Sequence, residues 1–499
     1  KGAIQQYELA GEAYAAAAAL GRSRGDIYLS DCERWGKTME AQTFTEINPA
    51  NSLKKAEEAC NKAILVNPDL PTGYLRKALV YNKLARYQAY NSSEDPRSLI
   101  EKAKQFANEA LSKDPKNWEP HEMLLFSNQL KGEYELHHGI DALNSLQAAI
   151  KNANEALKIQ ENAGVFMTLG ITYETLGEYE DQNGRNPVPK YEKAIEQFRR
   201  IEQIDRSINP SMETGICFWY IGSYQMKHGQ DPTPSYRSSV QEFQKYLKDR
   251  ADDPYGLYNL GAVYSDQGHY QKLSGTDPIA SFQQAIQMQR KAEKLIPNNS
   301  YVTNSIGYGY TDLADYLVSQ GKNPETELNE ARKYLLQSIK IDTTYYMPYI
   351  NLGDTDVINA QWLIKQQQSP IAHLDAARKA YLKSIECNKE DPSSFRAIAL
   401  TYRIQADWEM NQKRPAQKLI EEGLQWIEKS LNLSNENPES IAIRGSLILI
   451  QAREEKNPAR RNKYASTAVT TLENAIKANP TLKKDYEPLL KEARSLLAR

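Results

Sequence analysis

Small residues recur along the chain at helical spacing. Ala56, Cys60 and Ala63 are separated by four and then three positions, which places them on one stripe of a helix. Small side chains along a stripe let two helix axes approach closely, so the pattern predicts tightly paired helices. The same spacing returns, with some bulkier members, in Ala103, Ala107, Ala110; Ala149, Ala153, Ala156; Ala194, Phe198, Ile201; Ala285, Gln289, Ala292; Ala331, Leu335, Ser338; Ala377, Tyr381, Ser384; and Ala468, Leu472, Ala475.

A second pattern alternates with the first. It consists of an aromatic or aliphatic residue, an apolar residue three positions on, then Gly or Ala, and a tyrosine three positions further. Glycine inside a helix costs about 1 kcal/mol relative to alanine, so its return at one register predicts that a neighbouring helix crosses there. The clearest copies are Phe166, Leu169, Gly170, Tyr173; Leu257, Leu260, Gly261, Tyr264; Thr303, Ile306, Gly307, Tyr310; and Phe395, Ile398, Ala399, Tyr402.

The two patterns form one repeating unit with a period of about 42 to 48 residues. We therefore predict an all-α fold: an α-α superhelix of about ten helix pairs in which each pair contacts its neighbours. The predicted layout is an N-terminal capping helix or truncated repeat at 1–26, the repeat solenoid at 27–482 and a C-terminal capping helix at 483–499. Because the chain begins at Lys1, we interpret it as a fragment or a processed chain.

Composition narrows the possible partners. The formal net charge is −2, with acidic and basic residues intermixed, which argues against binding to nucleic acid or to an anionic membrane. No apolar stretch is long enough for direct membrane insertion by this segment. The compartment is left open: cytoplasmic, or periplasmic if a membrane anchor preceded residue 1. Tyrosine is abundant, with 31 copies against 9 phenylalanines, which suits helices that are half buried and half facing a groove.

Sequence motifs predict no enzyme active site, no cofactor and no metal. The four cysteines occur singly in different helices, which argues against a disulfide framework or a zinc site. Kinase signatures and serine nucleophile motifs are absent. Three short resemblances fail at a required position: Gly36-Lys37-Thr38 has Asp31 where a phosphate loop needs glycine, His121-Glu122 has Leu125 where a zinc helix needs histidine, and Gly307 with Gly309 is followed by Asp312.

The order of aromatic, Leu-Gly, Tyr, Ala and Pro positions resembles the tetratricopeptide repeat over about residues 27 to 480. It departs from the standard repeat of about 34 residues by roughly 8 to 14 extra residues between the two helices. An Asp-Pro or Asn-Pro pair precedes the second helix in most of these inserts, and the Asp or Asn is predicted to cap that helix. These pairs begin at Asp95, Asn186, Asp231, Asp277, Asn323 and Asn457.

The stretched period with its Asp/Asn-Pro inserts is similar to the tetratricopeptide arrays found C-terminal to bacterial Hanks-type serine/threonine kinases. That resemblance implies a sensory or docking repeat region, with a catalytic domain upstream of Lys1. It also implies that the first helix of each pair lines a concave groove that binds a protein or peptide partner. The repeat register then assigns the groove residues Trp219, Tyr255, Tyr258, Tyr301, Asn304, Tyr308, Arg396 and Arg403.

Each of these residues has a structural alternative. The aromatic side chains could pack between helices, and the two arginines could form a solvated face instead of receiving a carboxylate or phosphate. We interpret the chain as a non-catalytic protein-interaction scaffold. Two alternatives stay open: a self-assembling structural protein that stacks end to end as a homo-oligomer, and a small-ligand sensor with a tyrosine-lined pocket.

Overall fold

The structure is a computed structural model that describes residues 2–20, 25–44, 47–434 and 436–497. These residues form twenty-two α-helices and one short 3-10 helix, with no β-strand among them, which confirms the predicted all-α class. Residues 1, 21–24, 498 and 499 of the predicted caps lie outside the described part. The helices are α1 Gly2–Leu20, α2 Gly25–Phe44, α3 Ala50–Val66, α4 Pro71–Asn91, α5 Arg97–Lys113, α6 Glu119–His137, α7 Leu143–Ile159, α8 Ala163–Gln182, α9 Val188–Ile204, α10 Ser211–Lys227, α11 Thr233–Asp249, α12 Pro254–Ser274, α13 Ile279–Leu295, α14 Ser300–Ser319, α15 Glu325–Ile341, α16 Met347–Lys365, α17 Ile371–Cys387, α18 Pro392–Asn411, α19 Gln417–Leu433, α20 Pro438–Glu454, α21 Pro458–Ala478, the 3-10 helix Pro480–Leu482, and α22 Lys483–Leu497.

The helices pack as consecutive pairs. Helix α2 packs on α3, α4 on α5, and the alternation continues to α20 on α21, so the predicted pairs of a first and a second helix are present. Helix α1 packs against α2, and α22 packs against α20 and α21. The predicted division of the chain into two capping segments and a solenoid stays a prediction.

The chain divides into two compact units, and each is described by itself. Unit 1 comprises residues 1–217 and contains α1 to α9. Unit 2 comprises residues 218–499 and contains α11 to α22. The boundary falls inside α10, whose C-terminal half packs on α11 through Tyr236, a fully buried residue that fills the space above Gly222.

The small stripe and the recurrent glycine meet inside several pairs, as the sequence predicts. Ala331 and Leu335 of α15 are fully buried. A Cβ atom added to Gly307 of α14 would lie 2.7 Å from Leu335 Cγ and 3.2 Å from the Ala331 carbonyl oxygen. These distances leave no room for a side chain, so the glycine is there for close helix packing.

The inserts that lengthen the repeat have a common structure. The Asp95 side chain accepts a hydrogen bond from the backbone N–H of Arg97 at 2.9 Å, and Asn186 accepts one from Val188 at 3.0 Å. In the second of these inserts, the turn after α8 contains Gly184, whose φ of +67° is in the left-handed region that favours glycine. Each insert is therefore an ordered turn. The repeat can be longer than about 34 residues because the extra residues between its two helices are held by hydrogen bonds. The predicted Asp and Asn residues at 231, 277, 323 and 457 accept equivalent backbone hydrogen bonds.

The prediction about cysteines is wrong for one pair. Cys32 of α2 and Cys60 of α3 form a disulfide, with a Cα–Cα distance of 5.1 Å. The prediction treats the cysteines as isolated because they occur singly in different helices, but Cys32 and Cys60 belong to the facing stripes of one helix pair. Cys217 is buried and Cys387 is exposed, and both are free thiols.

Candidate binding surfaces

The first helices of consecutive pairs touch one another as well as their own partners. In unit 1, α4 contacts α6 and α6 contacts α8. In unit 2, α14 contacts α16 and α18 contacts α20. Side chains that point away from the second helices therefore form a continuous surface in each unit, which we call the first-helix face.

The first-helix face of unit 1 contains a groove of about 620 Å³, here called the unit 1 groove. Every residue that lines it belongs to a first helix, from α2, α4, α6 or α8. Its apolar floor is made of Leu79, Met123, Phe126 and Met167, all half-buried. Methionine and phenylalanine provide adaptable apolar contact area, which is common at surfaces that accept helices or peptides.

Charged residues surround this floor. Lys83 forms an ion pair with Glu40 at 2.5 Å, and Arg86 and Tyr90 stand exposed beside it. Glu122 lies at the edge of the apolar floor, where burial and, secondly, the nearby Glu119 raise its pKa to about 7. A carboxyl with that pKa changes its charge near neutral pH, so the polarity of the groove depends on pH.

In unit 2, four tyrosines gather at the N-terminal ends of α12, α14 and α16. Tyr255 and Tyr301 are 63% and 56% exposed. The ring of Tyr301 lies 4.5 Å from that of Tyr345, and Ser305 Oγ donates to the Tyr258 hydroxyl at 3.5 Å. The predicted Tyr255, Tyr258 and Tyr301 thus lie in one region, where two of them remain largely exposed to solvent.

Trp219 and Tyr308 belong instead to a polar network between α10, α12 and α14. Trp219 Nε1 donates to Asp266 Oδ2 at 2.7 Å, and His269 Nε2 lies 2.8 Å from Asp312 Oδ2 and 3.3 Å from the Tyr308 hydroxyl. Burial raises the pKa of Asp266. Burial lowers the pKa of His269, but Asp312 and Asp266 outweigh that effect and the pKa rises to about 9.

The other three predicted residues have partners of their own. Asn304 is 6% exposed and accepts a hydrogen bond from Asn351 Nδ2 at 2.9 Å. Arg396 Nη1 donates to Asn437 Oδ1 at 3.3 Å, and Arg403 Nη1 donates to Asp407 Oδ2 at 2.9 Å. Asn304 is therefore in a packing position, whereas the two arginines are half-buried.

Helix α22 lies against the first-helix face of unit 2. Lys484 Nζ donates to the backbone carbonyl of Lys272 at 2.8 Å, although 212 residues separate them. Burial raises the pKa of Tyr486, and the nearby Arg403 opposes that rise. The C-terminal half of α22 is anchored by Leu490 and Ala493, which are 7% and 0% exposed. The C-terminal helix therefore occupies part of the surface that the register assigns to a partner.

A cavity of about 610 Å³ remains between α22 and the first helices of unit 2, here called the α22 cavity. Most of the residues that line it carry a polar or charged group, although apolar atoms also contribute to its walls. The first helices contribute Met226, His269, Lys272, Leu273, Asp315, Tyr316, Ser319, Gln320, Gln361, Leu400 and Arg403, the turn after α12 adds Gly275 and Thr276, and α22 contributes Lys484, Asp485, Tyr486 and Leu489.

The sequence prediction missed the unit 1 groove and the position of α22. The register that assigned the unit 2 residues also places Gly164 and Met167 relative to Phe166, and both line the unit 1 groove. Counted from His121 in α6, the same offsets give Glu122 and Phe126. The signal is therefore present in the repeat register, but the sequence prediction assigns groove residues only in the second half of the chain. Nothing in the repeat pattern indicates where α22 lies.

No protein-family model matches the chain, and no curated protein matches it. Among solved structures, yeast Tom70 is 16% identical, with 98% of this chain and 93% of that chain covered and a TM-score of 0.45. The C-terminal part of a TPR repeat-containing protein from Cytophaga hutchinsonii is 14% identical, with 64% and 99% covered and a TM-score of 0.35. The TPR protein TTC0263 from Thermus thermophilus is 14% identical, with 47% and 99% covered and a TM-score of 0.33. Similarity at this level does not bear on activity or partners, and the paired-helix architecture rests on the packing described above.

The described residues lack two kinds of feature. None of their helices combines the length and the apolar character needed to cross a membrane. They also contain no group of three or more His, Cys, Asp or Glu side chains arranged to hold a metal ion.

Proposed function

We propose that the chain is a non-catalytic scaffold that binds protein partners on its first-helix faces. The observation that carries the proposal is the unit 1 groove, with an apolar floor of Leu79, Met123, Phe126 and Met167 and a charged rim. A surface of this kind suits a segment with one apolar and one polar side. The occupant we propose is an amphipathic helix of a partner protein.

The choice of a helix is supported by unit 2. There, the corresponding face is in contact with an amphipathic helix of the chain itself, α22, through Lys484, Tyr486 and Leu489. The first-helix faces of the two units are built from the same repeat. Because a helix lies against the face of unit 2, we expect a helix to fit the face of unit 1. Arg86, which is exposed at the rim beside the Lys83–Glu40 ion pair, favours an acidic residue on the polar side of that partner helix.

Site-specific photo-crosslinking tests this proposal. A benzophenone amino acid replaces Phe126 in the unit 1 groove, and a control chain carries it at Leu65, an 81% exposed residue of the second helix α3. We expect a discrete crosslinked partner from position 126 only, with the attachment site in a segment of amphipathic helical pattern. Met167→Glu is expected to weaken binding of that segment at least tenfold, because it places a charge on the apolar floor. Equal crosslinking at the two positions would contradict the proposal.

Tyr255, Tyr258 and Tyr301 form the second proposed contact region. Exposed tyrosines are enriched in binding hot spots because one ring supplies both apolar area and a hydrogen-bonding hydroxyl. The direct test compares capture by the wild-type chain and by a Trp219, Tyr258, Tyr308 triple-alanine variant. A second variant, Tyr255→Ser with Tyr301→Ser, leaves the Trp219–Asp266 and Tyr308–His269 hydrogen bonds in place. A partner retained by both variants would exclude this region.

We also propose that the chain is the sensory or docking region of a bacterial signalling kinase. The support is the sequence resemblance of its Asp/Asn-Pro inserts to arrays that accompany Hanks-type kinases. The test is co-purification of this chain with a recombinant Hanks-type kinase domain, with measurement of its autophosphorylation rate. A kinase domain that neither binds the chain nor changes its rate would remove the signalling assignment and leave the scaffold proposal intact.

A further inference from the structure

Four cationic side chains and two carboxylates line the α22 cavity. Three of the cations are ion-paired, since Lys272 bonds to Asp315, His269 to Asp312 and Arg403 to Asp407. The fourth, Lys484 of α22, donates to the Lys272 carbonyl and lies on the wall opposite Arg403 of α18.

Arg403 has an unfilled hydrogen-bonding position. Its Nη1 donates to Asp407 Oδ2, but its Nε is buried and has no partner among the described residues. A buried donor without an acceptor costs about 1 to 3 kcal/mol, so an acceptor is expected there. The planar guanidinium presents paired N–H groups that match the oxygen atoms of a carboxylate or a phosphate.

The rest of the wall suits the neutral part of a small polar molecule. Tyr316, Ser319 and Gln361 from α14 and α16 bring hydroxyl and amide groups into the same cavity. Its volume, about 610 Å³, lies within the usual range of small-molecule sites, which is about 300 to 1,000 Å³. Because α22 forms one wall through Lys484 and Tyr486, a bound molecule would touch both α18 and the C-terminal helix.

We propose that the α22 cavity binds a small organic anion whose carboxylate or phosphate group is held by Arg403. The proposal is independent of the scaffold function, since no residue of the unit 1 groove takes part. It supplies an acceptor for the unpartnered Arg403 Nε. It also makes α22 a ligand-contacting element, so the anion stabilises the docked position of that helix.

Isothermal titration of the full chain tests this proposal. The probes are succinate, citrate and inorganic phosphate, and succinamide is the neutral control. We expect at least one anion to bind with a stoichiometry of one, and succinamide to give no signal. Arg403→Gln is expected to weaken that binding at least tenfold. Arg444→Gln is the matched control, since Arg444 is an exposed residue of unit 2 that pairs with Glu428 outside the cavity, and it should leave the Kd within twofold.

Two further measurements guard against a folding defect. Arg403→Lys keeps the charge but loses the planar fork, and we expect it to weaken binding at least threefold while the helical circular dichroism stays unchanged. Hydrogen exchange of residues 483–490 should slow on addition of the bound anion. Absence of binding by all three anions would overturn the proposal. Equal affinity of the wild-type and Arg403→Gln chains would also overturn it.

Discussion

The two units present the same side of their first helices, but in different surroundings. In unit 1, the lining of the groove comes entirely from first helices and includes the apolar Met123, Phe126 and Met167. In unit 2, α22 lies against that face, and the surface beneath it is polar and charged. The same repeat can therefore form an open apolar groove or a cavity that is closed on one side by a helix of the chain itself. Which of the two forms depends on a few side chains and on the position of α22.

The difference has a physical origin in residue choice at one register position. The fifth residue after His121 of α6 in unit 1 is Phe126, whereas the fifth residue after Thr303 of α14 in unit 2 is Tyr308, which bonds to His269. An apolar side chain there leaves a surface that gains free energy when a partner covers it. A polar side chain that is already bonded to a neighbour offers much less to a partner, and instead ties consecutive helices together.

The largest expected effect comes from removing α22 from its site. Leu490 is 7% exposed and packs in unit 2, so Leu490→Asp would bury an unpaired charge at a cost of about 3 to 5 kcal/mol. We expect α20 to α22 to lose hydrogen-exchange protection, while the exchange of α4 to α8 stays unchanged. Leu497→Asp is the control in the same helix, because Leu497 is 40% exposed. If both variants exchange alike, α22 does not depend on its buried side.

The second prediction concerns the disulfide of unit 1. Cys32→Ala with Cys60→Ala should lower the stability of α2 and α3 by about 3 to 4 kcal/mol, from the entropy of a loop that spans 28 residues. Unit 2 contains no counterpart among its described residues, so its hydrogen exchange should stay the same. Alkylation of the denatured, unreduced chain should modify Cys217 and Cys387 only. Modification of all four thiols would show that the disulfide is not formed.

The third prediction gives each unit its own pH dependence. In unit 1, the pKa of Glu122 is raised to about 7 in the folded chain, from an unfolded value of 4.5. A raised folded pKa means that the folded state holds the proton more tightly. The stabilisation is therefore full below pH 4.5 and is lost as pH rises through 7. Glu122→Gln should remove this pH dependence from α6 and α8.

In unit 2, the pH range over which stability is lost lies at higher pH than in unit 1. The pKa of His269 rises to about 9 from 6.5, so its contribution is full below pH 6.5 and is lost as pH rises through 9. We expect a loss of about 1 to 2 kcal/mol, after allowing for solvent screening of a side chain that is partly exposed. Hydrogen exchange of α12 and α14 measured from pH 6 to 10, corrected for the intrinsic rate, checks it. Asp312→Asn should abolish the window, and an unchanged profile in that variant would assign the titration to another group.

Most of the fold could be predicted from the sequence. The spacing of Ala331 and Leu335 predicted a helix stripe, and the recurring Gly307 predicted a close crossing, because both depend on local periodicity. The disulfide was missed because the pairing of Cys32 with Cys60 depends on which residues of two neighbouring helices face each other. Spacing along the chain does not report that geometry.

The candidate sites were only partly predictable, for a related reason. The repeat register, when it is applied to α6 and α8, gives Phe126 and Met167, and both line the unit 1 groove. Register is a local property, so the sequence contains this information. Whether such a residue is exposed to solvent, hydrogen-bonded to a neighbour or covered by another helix depends on contacts between residues that are far apart in the sequence. Lys484 reaches Lys272 across 212 residues, and no local pattern encodes that contact.

The smallest expected effect separates residues that are available to a partner from residues that hold the fold. Tyr255 is 63% exposed, so Tyr255→Ser should change the stability of unit 2 by less than about 0.5 kcal/mol. Asn304→Ala is the contrasting variant, because it leaves the buried Asn351 without its hydrogen-bond acceptor and should cost about 1 kcal/mol or more. Urea denaturation followed by hydrogen exchange of α12 and α14 measures both changes. A large loss in Tyr255→Ser would mean that this tyrosine is a packing residue, and the contact surface proposed for unit 2 would then shrink to Tyr258 and Tyr301.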